Sequence, residues 1–513
     1  MCGILFANNF VNVDTREFKY ALKLMEHRGP DAPLGFYGNE NIMMGHNRLS
    51  IVDLYDRSNQ PLFSDDRRYA IIFNGEIYNY KELSKKYNIK MRTNSDTELL
   101  LKLYIKFGAT MLNWLNGMFA FIILDTEKRK YFVARDRLGV KPLYYHAVGD
   151  NYIFSSEIPP ILHLIKKYTL DDVAIRQYKK MRNFFNNRTI YHEIKEFPPG
   201  FYMEGNVLHR YWKNDYSEKQ APSDEELKFL IETSVNYRKV ADVKIGSYLS
   251  GGLDSTIITG LTGEQHTWTV GFRDMNEFYW SQLAANHFNT EHHSIEMDSI
   301  NFFDLSKKLI LRKKELLSVP NEVLLYFMTS QVKKENTVVM SGEGADELFF
   351  GYDRIFKWAN NTKKWNIEEF CALYTYGSQQ DFEIVEDAIQ PFLEWGEPEK
   401  IVAAFFQEAH LRGLLKRLDN ATMLNSVEAR SPFLDYRLVE RLSGVSYEYK
   451  TKDGIVKAPL KRVFKDIIPI EIIERKKVGF PVPLEQIFDE TFEGDSYFDK
   501  WFNFNLKILG ETL

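Results

Sequence analysis

Three short stretches of this chain carry residue types that could do chemistry. The first is "MCGI", which sets Cys2 directly behind the initiator methionine, at a chain end of the kind that usually frays. Only two cysteines occur in 513 residues, Cys2 and Cys371, and a free cysteine is most often a small buried hydrophobe. Its thiol becomes a nucleophile only when a base takes the proton, so a catalytic reading needs partners elsewhere in the chain. The second stretch is "SYLSGGLDSTIITG", in which Ser250, Gly251, Gly252, Leu253, Asp254 and Ser255 fall between a buried strand and a helix. Two glycines let backbone amides close on an anion, and the helix start adds its positive dipole end. No Gly-Lys-Ser/Thr follows them, so this is not the Walker phosphate loop. The third stretch is "SGEGADE", Ser341 to Glu347, after the strand "TVVM". Parallel strands would bring it to the same carboxyl edge as the first loop, the crevice where open α/β sheets bind ligands.

The surrounding elements divide the chain in two. Up to about Ile165, β-rich runs such as "RRYAIIFNGEIYNY", "GMFAFIILD" and "RKYFVARD" are joined by Gly, Asn and Asp turns, the pattern of antiparallel sheet. "SDTELLLKLYIKF" sets Ser95 and Glu98 at capping-box spacing before an apolar stripe, which predicts a helix packed on that sheet. The front half is therefore expected to be an α+β layered sandwich. The polar run "KNDYSEKQAPSDEE" reads as a linker over residues 213–225. Beyond it, "KIGSYLS", "HTWTVGF", "EHHSIEM" and "TVVMSG" alternate with helical stretches, which predicts an α/β doubly wound parallel sheet with a mostly helical C-terminal part after Phe349.

Composition narrows the classes. Lys and Arg total 66 against 71 Asp and Glu, a net charge of −5, so nothing points to nucleic acid or an anionic membrane surface. No apolar run approaches the ~20 residues that span a bilayer, and no secretory signal opens the chain. Two cysteines make no disulfide framework, and the expected location is cytoplasmic.

The Ser-Gly-Gly-x-Asp-Ser string resembles the pyrophosphate-binding loop of the ATP pyrophosphatases. With "MCGI", "HRGPD", "NRLSIVD", "FNGEIYN", "SDTE", "GMFAF", "RDRLGVKPLYY", "SGEGADE", "VEARSPFLD" and "KKVGFP" in order, the chain resembles the asparagine synthetase family to about Pro483. The resemblance implies a glutamine amidotransferase (glutaminase) domain of N-terminal nucleophile hydrolase type over residues 2–212. It implies an ATP-pyrophosphatase-type synthetase domain over residues 226–513. Removal of the methionine would leave the Cys2 thiol and α-amino group on one residue, the amine serving as base directly or through water. Asn74 and the Gly75 N–H would form the oxyanion hole, Arg48 would hold the glutamine α-carboxylate, and Glu76 and Asp96 its α-ammonium. Taken singly, Arg48 reads as a surface charge, Asp96 as a first-turn acid and Asn74-Gly75 as a hairpin turn; the ordered motif set selects the site reading. In the rear half, Ser250, Gly251, Gly252, Asp254, Ser255, Ser341 and Gly342 would bind the ATP phosphates, and Val270 and Gly271 the adenine. Asp254 and Asp346 would hold Mg²⁺, Glu343 would be the base for attacking ammonia, and Lys457 would stabilise charge during adenylation. Implied small-molecule partners are glutamine, ATP and a carboxylate acceptor, with a homodimer expected from family habit.

The acceptor is the least determined part. Asparagine-forming members carry a Thr-rich stretch with an arginine before the helix that precedes "SGEG". Here "LLSVPNEVLLYFMTS" supplies Ser318, Val319, Pro320, Asn321 and Glu322 instead, and the like charge of Glu322 disfavours dianionic aspartate. "HLRGLLKRLDNATM" is similar to the branch found with bacterial surface-polysaccharide genes. The expected acceptor is therefore a sugar uronic acid, with asparagine synthesis as the alternative and a degenerate binding or regulatory relative as a third reading. "VEARSPFLD" is expected to pack between helices near the domain junction, with no direct chemistry for Arg430.

Overall fold

The computed structural model describes residues 2–9, 13–39, 41–263, 265–476, 479–480 and 482–511. Met1 of "MCGI", and Lys477, Val478 and Pro481 of "KKVGFP", lie outside the described residues.

The front half folds into two six-stranded antiparallel sheets laid face to face. In one, Gly3–Asn8 runs between Ile42–Asn47 and Asn151–Ser155. In the other, Gly117–Asp125 runs between Tyr69–Ile77 and Lys130–Arg135. Side chains alternate across each strand, so Ile4, Phe6 and Met44 of one sheet meet Ile72, Ile122 and Val133 of the other in a closed core. Helices Thr15–Lys23 and Ile158–Ile165 cover the first sheet, and Asp96–Phe107 covers the second. This is the layered sandwich expected from the turn-punctuated β runs. Ser95 caps the helix Asp96–Phe107, accepting from the Thr97 N–H. Glu98 departs from the capping box: its carboxylate accepts from the Arg92 and Thr93 N–H groups at 2.9 and 2.7 Å, tying down the preceding loop instead.

The rear half is built on a five-stranded parallel sheet in the order Glu291–Met297, His266–Phe272, Ile245–Tyr248, Val338–Met340, Glu428–Arg430. The last strand corrects the expectation for "VEARSPFLD": it is a sheet edge, not a segment between helices. Three residues are too few to show a period of two, and two of them, Glu428 and Arg430, are buried charges paired at 2.5 Å. The polar stretch 213–225 connects the halves without secondary structure up to residue 223, yet it is docked. Tyr216 is buried against Trp395, with ring centroids 5.1 Å apart, and Asn214 donates to Ser443 Oγ at 2.7 Å. The C-terminal run forms the helix Tyr497–Gly510, which buries Trp501, Phe502 and Leu509 against Ser299–Lys313 and Asp172–Met181. Among the described residues no helix is long and apolar enough to cross a membrane.

Candidate active sites

Cys2 enters the strand Gly3–Asn8 beside the middle of Tyr69–Ile77. Its nitrogen donates to Asn74 Oδ1 at 3.0 Å, which anchors the Asn74 amide through its oxygen. Asn74 Nδ2 is buried and has no partner among the described residues, so the side chain that takes the Cys2 N–H keeps an unused donor. Gly75 follows where the two strands run so close that a Cβ would lie 2.1 Å from the Met118 carbonyl. Burial pushes the Cys2 thiol up, opposed by the positive chain terminus and by Arg48. Arg28, wholly buried, donates through Nε to the Cys2 carbonyl at 3.1 Å and pairs with Glu157 and Asp419 at 3.0 and 2.9 Å. Arg28 stands in "HRGPD", but its role was hidden because Asp419 lies 391 residues away.

Arg48 is a buried guanidinium held by neutral acceptors: the Tyr55 carbonyl at 2.9 Å, Asn59 Oδ1 at 2.8 Å and the Asp53 carbonyl. No carboxylate pairs with it among the described residues, so its charge is oriented and uncompensated. Glu76 and Asp96 show the opposite imbalance. Burial raises Asp96 to about 6, while one of its oxygens accepts the Ile77 N–H at 2.8 Å. Burial, with Glu428 and Asp96 close by, pushes Glu76 well above the ordinary carboxylate range. Arg430 Nη2 approaches Glu76 at 3.7 Å, so this residue, expected to have no chemistry, reaches the front-half acids from the rear sheet. A buried cation with no carboxylate partner, and a pair of buried acids that one distant guanidinium only partly offsets, together suit one zwitterion, an α-amino acid.

In the rear half, "SGGLDS" leaves the strand Ile245–Tyr248 and opens the helix Leu253–Thr262. Ser250 Oγ lies 3.1 Å from Ser255 Oγ and accepts the Gly252 N–H at 3.2 Å, folding the loop into a compact turn. Gly251 has φ +72°, and a Cβ there would lie 2.3 Å from the Trp280 backbone. Arg475 donates to the Gly251 carbonyl at 2.8 Å, a loop contact sequence reasoning missed. Gly342 brings the second loop against the first, with Asp254 Cβ 3.1 Å from where its own Cβ would stand. Ser341 donates its N–H to the Arg430 carbonyl at 2.8 Å and accepts the Glu343 N–H at 3.3 Å. Val270 and Gly271 sit near the carboxyl end of His266–Phe272, Gly271 pressed on Asn276.

Lys457 closes this site. Its Nζ reaches Asp254 at 2.5 Å and Asp346 at 2.6 Å, and it is only 3% exposed. The two carboxylates hold the ammonium well above its ordinary value against the cost of burial. Two carboxylates converging on one buried cationic point, beside a phosphate-type loop, are a donor set that fits Mg²⁺.

Glu343 is raised by burial, with Arg417 as its counter-charge at 2.7 Å. Arg417 also donates to Asn321 Oδ1 at 3.1 Å, so a guanidinium does reach the 318–322 stretch, from the helix Leu411–Met423. Glu322 is not a free charge: its carboxylate pairs with Lys313 at 2.8 Å, both side chains buried, and accepts the Ser318 N–H at 3.2 Å. Its repulsion of a dianionic acceptor is therefore already neutralised. Glu322→Gln leaves Lys313 buried without its partner, which destabilises by ~3–5 kcal/mol. Chemical denaturation will read that loss, while the acceptor profile stays unchanged. A changed profile at unchanged stability would mean that Glu322 faces the acceptor. A small cavity next to these groups is lined by Tyr178, Arg182, Ser318, Glu322, Lys416 and Arg417.

Comparison with known proteins bears on both halves. A family model described as a glutamine amidotransferase domain matches residues 1–212, and one described as asparagine synthase matches residues 226–495. Asparagine synthetase [glutamine-hydrolyzing] 1 of Bacillus subtilis is 31% identical over 94% of this chain and 87% of its own length. Asparagine synthetase B of Escherichia coli is 28% identical over 89% of this chain and 77% of its own length. A maize relative, also named asparagine synthetase [glutamine-hydrolyzing], is 27% identical over 94% of this chain and 77% of its own length. On the breadth of these matches, the chain belongs to the asparagine synthetase family of glutamine-hydrolysing amidotransferase ligases.

Proposed function

We propose that this enzyme moves the amide nitrogen of glutamine onto a carboxylate activated by ATP, with the roles distributed as the two sites suggest. The observation that carries the proposal is Lys457, held between Asp254 and Asp346 at the loop after Ile245–Tyr248, in the same chain as a Cys2 seated on Asn74. In the front site, Arg48 takes the glutamine α-carboxylate and the Glu76/Asp96 pair its α-ammonium. The Cys2 thiolate adds to the side-chain carbonyl while Asn74 Nδ2 and the Gly75 N–H donate to the resulting oxyanion. Ammonia leaves with the proton taken from the thiol, and water releases glutamate from the thioester. In the rear site, the Ser250–Ser255 loop and Ser341–Gly342 cradle the phosphates of ATP, with Val270 and Gly271 beside the adenine. The acceptor carboxylate displaces pyrophosphate from the α-phosphorus, and Lys457 offsets charge there. Asp254 and Asp346 would hold Mg²⁺, which when bound neutralises phosphate charge. Glu343, kept basic by burial and aligned by Arg417, takes a proton from ammonia as it displaces AMP.

For the acceptor, Arg417 and the neutralised Glu322 support aspartate, the substrate implied by the relatives' names. A sugar uronic acid is the second reading, favoured by Arg182, a further cation lining the cavity. Pyrophosphate release with ATP, Mg²⁺ and ammonium, measured for aspartate against a panel of uronic acids and their nucleotide forms, separates them. Asparagine by mass identifies the first; silence with aspartate and turnover with a uronate identifies the second.

The glutamine site also sets a pH dependence. An Asp pKa raised from ~3.9 unfolded to about 6 folded makes the free protein lose stability as pH climbs through 6. Binding an ammonium needs the ionised form, so the sign for glutamine is opposite. KM for glutamine is expected to be ~10-fold higher at pH 5 than at pH 7, one unit below and above that value. A flat KM across that range would remove Asp96 from ammonium binding.

A further inference from the structure

A second cluster of ligating side chains lies at the far end of a strand from the nucleotide loop. His266 begins the strand His266–Phe272, whose other end carries Val270 and Gly271. The neighbouring edge strand Glu291–Met297 begins with Glu291 and carries His293 two residues on, on the same face. The parallel register sets His266 against Glu291 and Trp268 against His293, so both imidazoles and the carboxylate gather at one corner of the sheet. His266 Nδ1 lies 3.3 Å from His293 Nε2 and 3.6 Å from Glu291 Oε2, and His293 Nε2 lies 3.9 Å from Glu291 Oε1.

Those separations have a chemical meaning. Zn²⁺ binds imidazole nitrogen and carboxylate oxygen at ~2.0–2.2 Å, so a tetrahedron of such ligands has edges of ~3.3–3.6 Å. The two imidazole nitrogens already stand at that edge length, and the exposed Glu291, which reaches one with each of its two oxygens at 3.6 and 3.9 Å, needs only to turn one oxygen between them. The imidazole planes are 14° apart, and both rings stack on buried Trp268 with centroids 5.9 and 5.5 Å away, so the sheet fixes the two nitrogens. None of the three residues takes part in the glutamine or ATP sites.

We propose that His266, Glu291 and His293 form a site for Zn²⁺ or another borderline divalent first-row ion, with a fourth position left to water. Two nitrogens and one carboxylate select such ions over Mg²⁺, which prefers oxygen. The bound ion clamps the edge strand of the rear sheet to its neighbour.

The test uses the full-length protein, stripped with a chelator and titrated with Co²⁺. The expected result is one equivalent of tetrahedral Co²⁺ with strong visible bands, displaced by Zn²⁺ but not by excess Mg²⁺. It should lack the thiolate charge-transfer absorption that binding at Cys2 would add. His266→Gln and His293→Gln are expected to weaken binding at least ~10-fold, as is Glu291→Gln, whose exposed side chain makes it the safest variant for folding. Exposed His209→Gln is the control and leaves binding unchanged. A weak octahedral Co²⁺ spectrum in the wild type, or the same tetrahedral spectrum in wild type and the Glu291 and His293 variants, would overturn the site.

Discussion

Cys2→Ala is expected to abolish amidation from glutamine, by at least ~10³-fold, and to leave amidation from ammonium salt intact. The geometry predicts this clean separation because the groups that seat Cys2 touch its backbone. Asn74 accepts from the Cys2 nitrogen and Arg28 donates to the Cys2 carbonyl, and alanine keeps both atoms. The side chain's only hydrogen-bond contact among the described residues is a long one, 4.0 Å from Sγ to the Leu49 carbonyl. Losing the thiol therefore removes the nucleophile without loosening Arg28, whose other bonds run to Glu157 in the front half and Asp419 in the rear half. Glutamate and product formation from glutamine are to be followed beside pyrophosphate release driven by ammonium. Loss of the ammonium-driven reaction in a folded variant would mean that the two sites are not separable.

Lys457→Ala is expected to do the reverse, lowering pyrophosphate release ~10²–10³-fold while glutaminase activity persists. The effect on stability is also large. Lys457 Nζ pairs with both Asp254 and Asp346, two half-buried carboxylates, and its removal takes that counter-charge from both. Removing one partner of a fully buried pair costs ~3–5 kcal/mol, which is the upper bound for carboxylates 21% and 25% exposed. A divalent cation can take the vacated position between the acids, so Mg²⁺ should raise the melting temperature of the variant more than that of the wild type. Unchanged pyrophosphate release would remove Lys457 from adenylation; no Mg²⁺ effect in either protein would remove the two aspartates from metal binding.

What was legible in the sequence follows from how local each feature is. "SGGLDS" could be read as an anion loop because its strand, turn and helix are contiguous, and the structure folds it as one unit. The front-half strands were legible from their turns, and the helix at Asp96 from Ser95. Lys457 stands 203 residues from Asp254, and only the motif resemblance placed them together. Arg28, Arg417 and Arg430 act through partners on other elements, and no spacing announces such pairs. Glu322 shows the error this invites: the acid read as free is neutralised by Lys313, nine residues earlier on the preceding helix. The strand Glu428–Arg430 escaped because two of its three buried positions are charges, the reverse of the usual core signal.

The most direct test of the central claim, that one chain hydrolyses glutamine in order to amidate a carboxylate activated by ATP, is the stoichiometry of a single reaction. Wild-type protein is given glutamine, ATP, Mg²⁺ and the acceptor that passes the pyrophosphate screen, and glutamate, pyrophosphate and amide product are counted together. Equal amounts of all three, with product fully labelled from amide-¹⁵N glutamine in the presence of unlabelled ammonium, are the predicted result. Glutamate accumulating independently of pyrophosphate, with unlabelled product, would contradict it.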